Sequence, residues 1–213
     1  MNSEAEKRRV GILLFENFEL LDVFGPAQML GMLKSKFELR MVGEAIGKVA
    51  SSQGPEVFVD TNLEQANDMN IVLIPGGMGT RDEVENDGLI SWISSVAPTL
   101  EYLVSVCTGS ALLAKAGVLD GKRATSNKSA FEWVVTQGPE VEWIKKARWV
   151  VDGKYWTSSG VSAGMDMTLA LIEEIHGSDL ATIASTQLTQ NISEDIFAYM
   201  RASRDSSLSA IPA

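Results

Sequence analysis

The sequence holds one cysteine, Cys107, and one histidine, His176, among 213 residues. A lone thiol closes no disulfide within the chain, which suits a reducing compartment, and the expected location is the cytoplasm. Zinc fingers, iron–sulfur clusters and HExxH sites need more Cys or His than the chain offers. Any triad that requires a histidine has only His176 to use. Long apolar runs are also lacking: Val10 to Phe15 is too short for the core of a signal peptide and far too short to span a bilayer, so no membrane partner is expected. Positive charge is scarce, with 18 Lys and Arg against 28 Asp and Glu and a formal net charge of −10. Such a field repels phosphate backbones, so no nucleic-acid partner is expected either.

What is present reads as an ordinary globular chain, 45% hydrophobic and 22% charged. The length favours a single domain, expected over residues 9–200, with 1–8 and 201–213 as flexible tails. Short, unbroken apolar runs at 10–15, 71–74 and 102–106 predict strands buried on both faces. Strands are also expected at 37–42, 57–59, 123–126, 141–144, 147–151 and 155–157. Helical spacing predicts helices over 20–33, 82–96, 110–116, 130–137, 161–175 and 179–191, and Gly25-Pro26 sits where a helix could begin. Asp152-Gly153 predicts the tight turn of an antiparallel hairpin. Apolar strands alternating with helices give an α/β fold with a mainly parallel sheet between helical layers and a small antiparallel hairpin.

In such sheets ligands bind beyond the carboxyl ends of the strands, and three strand ends carry unusual residues. At the first, the strand Tyr102 to Val106 runs straight into Cys107-Thr108-Gly109 and a small-residue helix. A nucleophile on a sharp strand-to-helix turn has this pattern, although Ser105 stands where a G-x-S-x-G elbow has glycine. The helix N-terminus would favour a thiolate and lower its pKa. A free cysteine is equally at home as a small buried hydrophobe. At the second, Pro75-Gly76-Gly77-Met78-Gly79 offers backbone N–H groups that, with the N–H of Thr108, could form an oxyanion pocket; an ordinary turn has the same composition. At the third, Asp22 lies in the apolar stretch Leu20-Leu21-Asp22-Val23-Phe24. Desolvation there raises a carboxyl pKa and suits general acid–base work, and Asp is as well placed to cap a helix. Asn127 follows the 123–126 strand and offers a neutral donor and acceptor. His176 sits near the end of a long helix, where a cation complements the helix dipole. The five Trp are read as core or interface.

Taken in order, Leu20 to Pro26, Ile74 to Gly77, Val106 to Gly109 with Leu112-Leu113-Ala114, Arg123 to Ser126 and Thr157 to Asp166 resemble the DJ-1/PfpI superfamily, and within it the isonitrile hydratase branch. The resemblance implies a three-layer, flavodoxin-like fold and a homodimer. It implies Cys107 as nucleophile, Asp22 as the carboxylate sharing a proton with it, Thr108 supplying its N–H and hydroxyl, and Gly76-Gly77 as the loop facing the thiol. The implied reaction adds water to a small electrophile such as an isonitrile through a covalent thioimidate and gives an N-substituted formamide. No organic cofactor or metal is implied. Many relatives carry a His after the Arg-Ala-Thr strand; Asn127 stands there in this chain, so a Cys–His dyad at that place is missing. Other roles found in the superfamily are a glyoxalase-type enzyme and a redox sensor in which the cysteine oxidises.

Overall fold

The computed structural model describes residues 7–187. Eleven strands and seven α-helices follow in the order β1 (Arg8–Leu13), α1 (Leu20–Met32), β2 (Phe37–Gly43), β3 (Gly47–Ala50), β4 (Glu56–Val59), β5 (Thr61–Asn62), β6 (Ile71–Ile74), α2 (Thr80–Glu83), α3 (Asp87–Val96), β7 (Tyr102–Val106), α4 (Gly109–Lys115), β8 (Arg123–Ala124), α5 (Phe131–Val135), β9 (Glu142–Trp143), β10 (Trp149–Asp152), β11 (Tyr155–Ser158), α6 (Val161–His176) and α7 (Ser178–Gln187). The expected tails and the expected domain end at residue 200 lie largely outside the described residues, as does the end of the helix expected over 179–191.

A seven-stranded sheet with the order β10-β11-β7-β6-β1-β2-β5 forms the central layer. All its pairs are parallel except β10–β11. The apolar runs explain the middle strands: every residue of β6 is buried, as are four of five in β7, because helices cover both faces of the sheet. α1, α6 and α7 pack on one another along one face, and α2, α3 and α5 gather around α4 on the other. This is the expected three-layer α/β sandwich, with the antiparallel hairpin at one edge.

Four local readings are corrected. The hairpin turn is Gly153-Lys154, one residue later than expected, with Gly153 at φ 59 in the first central position. Gly25-Pro26 does not begin a helix: α1 starts at Leu20, with Pro26 inside it. Its cap comes from outside, for the Leu20 N–H donates to Gln53 Oε1 at 3.0 Å. The helix expected over 82–96 is interrupted at Asn86, whose extended backbone ends the α2 region and whose Oδ1 accepts from the Leu89 N–H at 3.2 Å to cap α3. β3, which pairs with β4 as a second hairpin, was not anticipated.

Parallel strands end on the same side, so the residues after β1, β6, β7 and β11 meet along one edge of the sheet. The chain reverses direction of winding between β1 and β6, which are neighbours. The crevice at that switch point is where such sheets bind ligands.

Candidate active site

Asp22, Gly76, Cys107 and Asn127 come together at this crevice. Cys107 follows β7 directly and has φ 56, a left-handed conformation that L-residues avoid and that turns the chain sharply into α4. Its N–H donates to the Ser158 carbonyl of the neighbouring β11 end at 3.0 Å. Its carbonyl accepts from the hydroxyls of Ser126 at 3.0 Å and Ser110 at 3.3 Å. The residue is half-buried.

Close packing makes this turn possible. A Cβ on Gly76 would come within 2.6 Å of the Thr108 nitrogen and 2.7 Å of the Cys107 Cβ. A Cβ on Gly109 would collide with the Ile74 carbonyl oxygen. The β6 and β7 loops therefore touch backbone to backbone, and both glycines are steric requirements.

Asp22 lies in the first turn of α1 and is fully buried. It does not cap its helix. Its Oδ2 accepts from the Gly76 N–H at 3.0 Å, across the gap between the β1 and β6 ends. Its Oδ1 is buried without a hydrogen-bond partner. Burial pushes the carboxyl up from 3.8 to about 7; the Gly76 N–H opposes this, Glu19 adds to it, and the Cys107 thiol lowers it. The thiol thus lies close enough to bias the carboxyl while leaving Oδ1 free to accept a proton.

The thiol moves in the direction opposite to the sequence-based expectation. Burial and then the Asp22 charge raise Cys107 from 9.0 to about 12, outweighing the Thr108 N–H, the Asn127 side chain and the Thr108 hydroxyl, all of which favour the thiolate. The N-terminus of α4 does not offset the cost of desolvation. The resting pair is a neutral thiol beside a carboxyl near its midpoint.

The glycine loop is used differently from the oxyanion pocket read in the sequence. Gly76 gives its N–H to Asp22, and Gly77 gives its N–H to Thr108 Oγ1 at 3.1 Å. These donors orient the acid and the threonine rather than face an open pocket. Gly77 has φ 129, and a side chain there would strike the Asn17–Glu19 backbone.

Asn127 stands beside the thiol, its side chain held at both ends. Its Oδ1 accepts from Ser129 N–H at 2.9 Å, Ser129 Oγ at 2.6 Å and Ala130 N–H at 3.2 Å, which leaves the amide group to donate to Cys107. His176 ends α6 at the far side, its ring edge-to-face with Phe37 at 5.2 Å. Gly160 begins that helix near Asn127, so His176 is about 22 Å away along the helix axis. Thr80, Ser110 and Ser126 were missed in the sequence. Each is a fully buried hydroxyl next to a strand end, and Thr80 Oγ1 donates to the Gly77 carbonyl at 2.7 Å.

Among the described residues no helix is long and apolar enough to cross a membrane. The DJ-1/PfpI family profile matches residues 8–174. The isonitrile hydratase of Pseudomonas putida is 34% identical over 180 residues, covering 84% of this chain and 77% of that protein. The HTH-type transcriptional regulator GbdR of Pseudomonas aeruginosa is 29% identical over 181 residues, 83% of this chain, and this chain spans 49% of the regulator's length. A solved THiJ/PfpI family protein from Pseudomonas syringae superposes with a TM-score of 0.81 at 25% identity, covering 88% of this chain and 77% of that one.

Proposed function

The chain belongs to the DJ-1/PfpI family, and we propose that it is a cysteine-dependent hydratase acting on a small electrophile of the isonitrile type. The observation that carries this reading is the free, buried Oδ1 of Asp22 beside a neutral thiol. That pair suits a reaction in which the proton leaves sulfur as sulfur attacks.

The terminal carbon of an isonitrile accepts both a nucleophile and a proton. Ionised Asp22 takes the Cys107 proton as the sulfur bonds to that carbon. Asp22 then gives the proton to the same carbon, leaving a neutral thioimidate, R–N=CH–S–Cys107. In the second half Asp22 removes one proton from water as the water oxygen adds to the carbon and passes that proton to the nitrogen; it then takes the hydroxyl proton of the adduct and hands it to the departing sulfur. Collapse breaks the C–S bond, returns the proton to Cys107 and releases R–NH–CHO. Atoms balance as isonitrile plus water, with no oxidant. A carboxyl poised near neutrality serves both directions of transfer. The Thr108 N–H and hydroxyl and the Asn127 amide steady charge on sulfur as it forms and as it leaves. The high thiol pKa counts against the redox-sensor alternative, since oxidation starts from the thiolate.

The test is incubation of the purified protein with para-nitrophenyl isonitrile and measurement of the formamide. Formamide above the Cys107→Ala background supports the reading; its absence removes isonitriles as the substrate class.

A further inference from the structure

We infer that Ser126 is a positioning residue for the reactive thiol: its buried hydroxyl holds the Cys107 carbonyl and so keeps Cys107 in its left-handed conformation, with the sulfur against Asp22. The inference rests on the reading of Cys107 as the reactive group.

A residue at φ 56 stays there only if its surroundings fix it. Both flanking peptides of Cys107 are tied. The N–H is tied to Ser158 at the end of β11, and two hydroxyls converge on the carbonyl, Ser126 at 3.0 Å and Ser110 at 3.3 Å. Ser110 belongs to the helix that the turn itself begins, so it moves with the elbow. Ser126 comes from a different element and is the outside anchor.

The anchor is itself rigid. Ser126 is fully buried. The preceding Thr125 gives its N–H to Thr157 Oγ1 at 2.8 Å and its hydroxyl to the Ile144 carbonyl at 2.7 Å. The exposed Lys128 turns back, with Nζ donating to Thr125 Oγ1 at 2.8 Å and to the Ser126 carbonyl at 3.2 Å. The next residue, Asn127, sets its amide beside the sulfur, where it favours the thiolate. One short loop therefore holds the Cys107 carbonyl and lines its side chain.

If the hydroxyl is removed, the elbow relaxes towards ordinary backbone angles and the sulfur leaves the buried corner that raises its pKa. The thiol then returns towards its usual range, so it becomes more reactive towards a general reagent and less able to turn over substrate.

The single cysteine makes this directly readable. Cys107 alkylation by iodoacetamide is followed from pH 7 to 10 in wild type and Ser126→Ala, with thermal melts to verify folding, and formamide formation is measured in parallel. Each unit by which the thiol pKa falls raises the rate at pH 8 about threefold, the gain in thiolate outweighing the loss of intrinsic nucleophilicity. The expected result is alkylation about tenfold faster, its pH profile displaced to lower pH, and kcat reduced with KM little changed. Unchanged or slower alkylation overturns the inference whatever the turnover shows. Should Ser126→Ala not melt cooperatively, Ser126→Gly, which removes the same hydroxyl from the Cys107 carbonyl, is read in the same way. If wild type yields no formamide, the hydratase reading falls while the alkylation comparison still decides the role of Ser126.

Discussion

Asp22 raises the pKa of the Cys107 thiol, and the thiol lowers that of Asp22, although they stand 85 residues apart in the chain on opposite sides of the β6 loop. Gly76 lies between them. Its N–H orients the carboxyl, and its missing side chain lets the cysteine turn pack against it.

Asp22 makes the fold pH-sensitive in an unusual direction. Its native pKa of about 7 exceeds the unfolded value of 3.8, so between those values the native state holds a proton that the unfolded chain has released. Stability from this group is full below pH 4, falls as pH rises, and is lost above pH 7. Asp22→Asn removes the penalty. Urea titrations are expected to show the variant more stable than wild type by about 1–3 kcal/mol at pH 8, with the gap closing at pH 4.

The proposed mechanism gives turnover its own pH dependence. With the Asp22 carboxylate as acceptor of the thiol proton, kcat/KM is expected to rise with pH through an apparent pKa near 7. A pH–rate profile of formamide formation checks this. A flat profile between pH 5 and 8 would remove Asp22 as the base.

Gly76 and Gly121 give a controlled comparison. Gly121 has φ 67, and a Cβ there meets nothing within 4 Å, whereas a Cβ at Gly76 meets the Thr108 nitrogen and the Cys107 Cβ. Gly121→Ala is expected to cost about 1–2 kcal/mol through backbone strain alone and to keep activity. Gly76→Ala is expected to abolish turnover and lower Tm by more. Melting curves and the formamide assay separate the two.

Asn127 is tested by a substitution that keeps its cap. Asn127→Asp retains the acceptor for the Ser129 and Ala130 N–H groups, but replaces the amide donor to sulfur with a second carboxylate. Tm is expected to change by a few degrees at most, while kcat/KM falls about 10- to 100-fold, the loss of a charge-assisted hydrogen bond. Equal activity would show that the amide does not act on the thiol.

The sheet was legible because β1, β6 and β7 are short apolar runs that only a doubly covered strand can use. The place of Cys107 followed from β7 running without a loop into a helix of small residues. Other features depended on distant partners. The helix from Leu20 followed from its apolar spacing, but its cap was not legible, because Gln53 comes from a hairpin 33 residues away. The break at Asn86 was hidden by apolar residues that keep helical spacing on both sides of it. The glycine loop was located correctly, but its N–H directions depend on the positions of Asp22 and Thr108. The thiol pKa was misjudged because a helix terminus is visible in sequence, whereas the depth of burial and the proximity of Asp22 are not. Ser126 was legible as the end of the 123–126 strand and as part of the family motif, but its bond to the Cys107 carbonyl, 19 residues back, was not.

Whether Cys107 and Asp22 act as one unit is decided by a double-mutant cycle on formamide formation. Wild type, Cys107→Ala, Asp22→Asn and the double variant are assayed at pH 8, where all are expected to be folded. No activity is expected for Cys107→Ala, a loss of at least about 100-fold for Asp22→Asn, and a double variant no worse than Cys107→Ala, as for residues that act as a unit. Near-normal turnover by Asp22→Asn, or formamide produced by Cys107→Ala at the wild-type rate, would contradict the pairing.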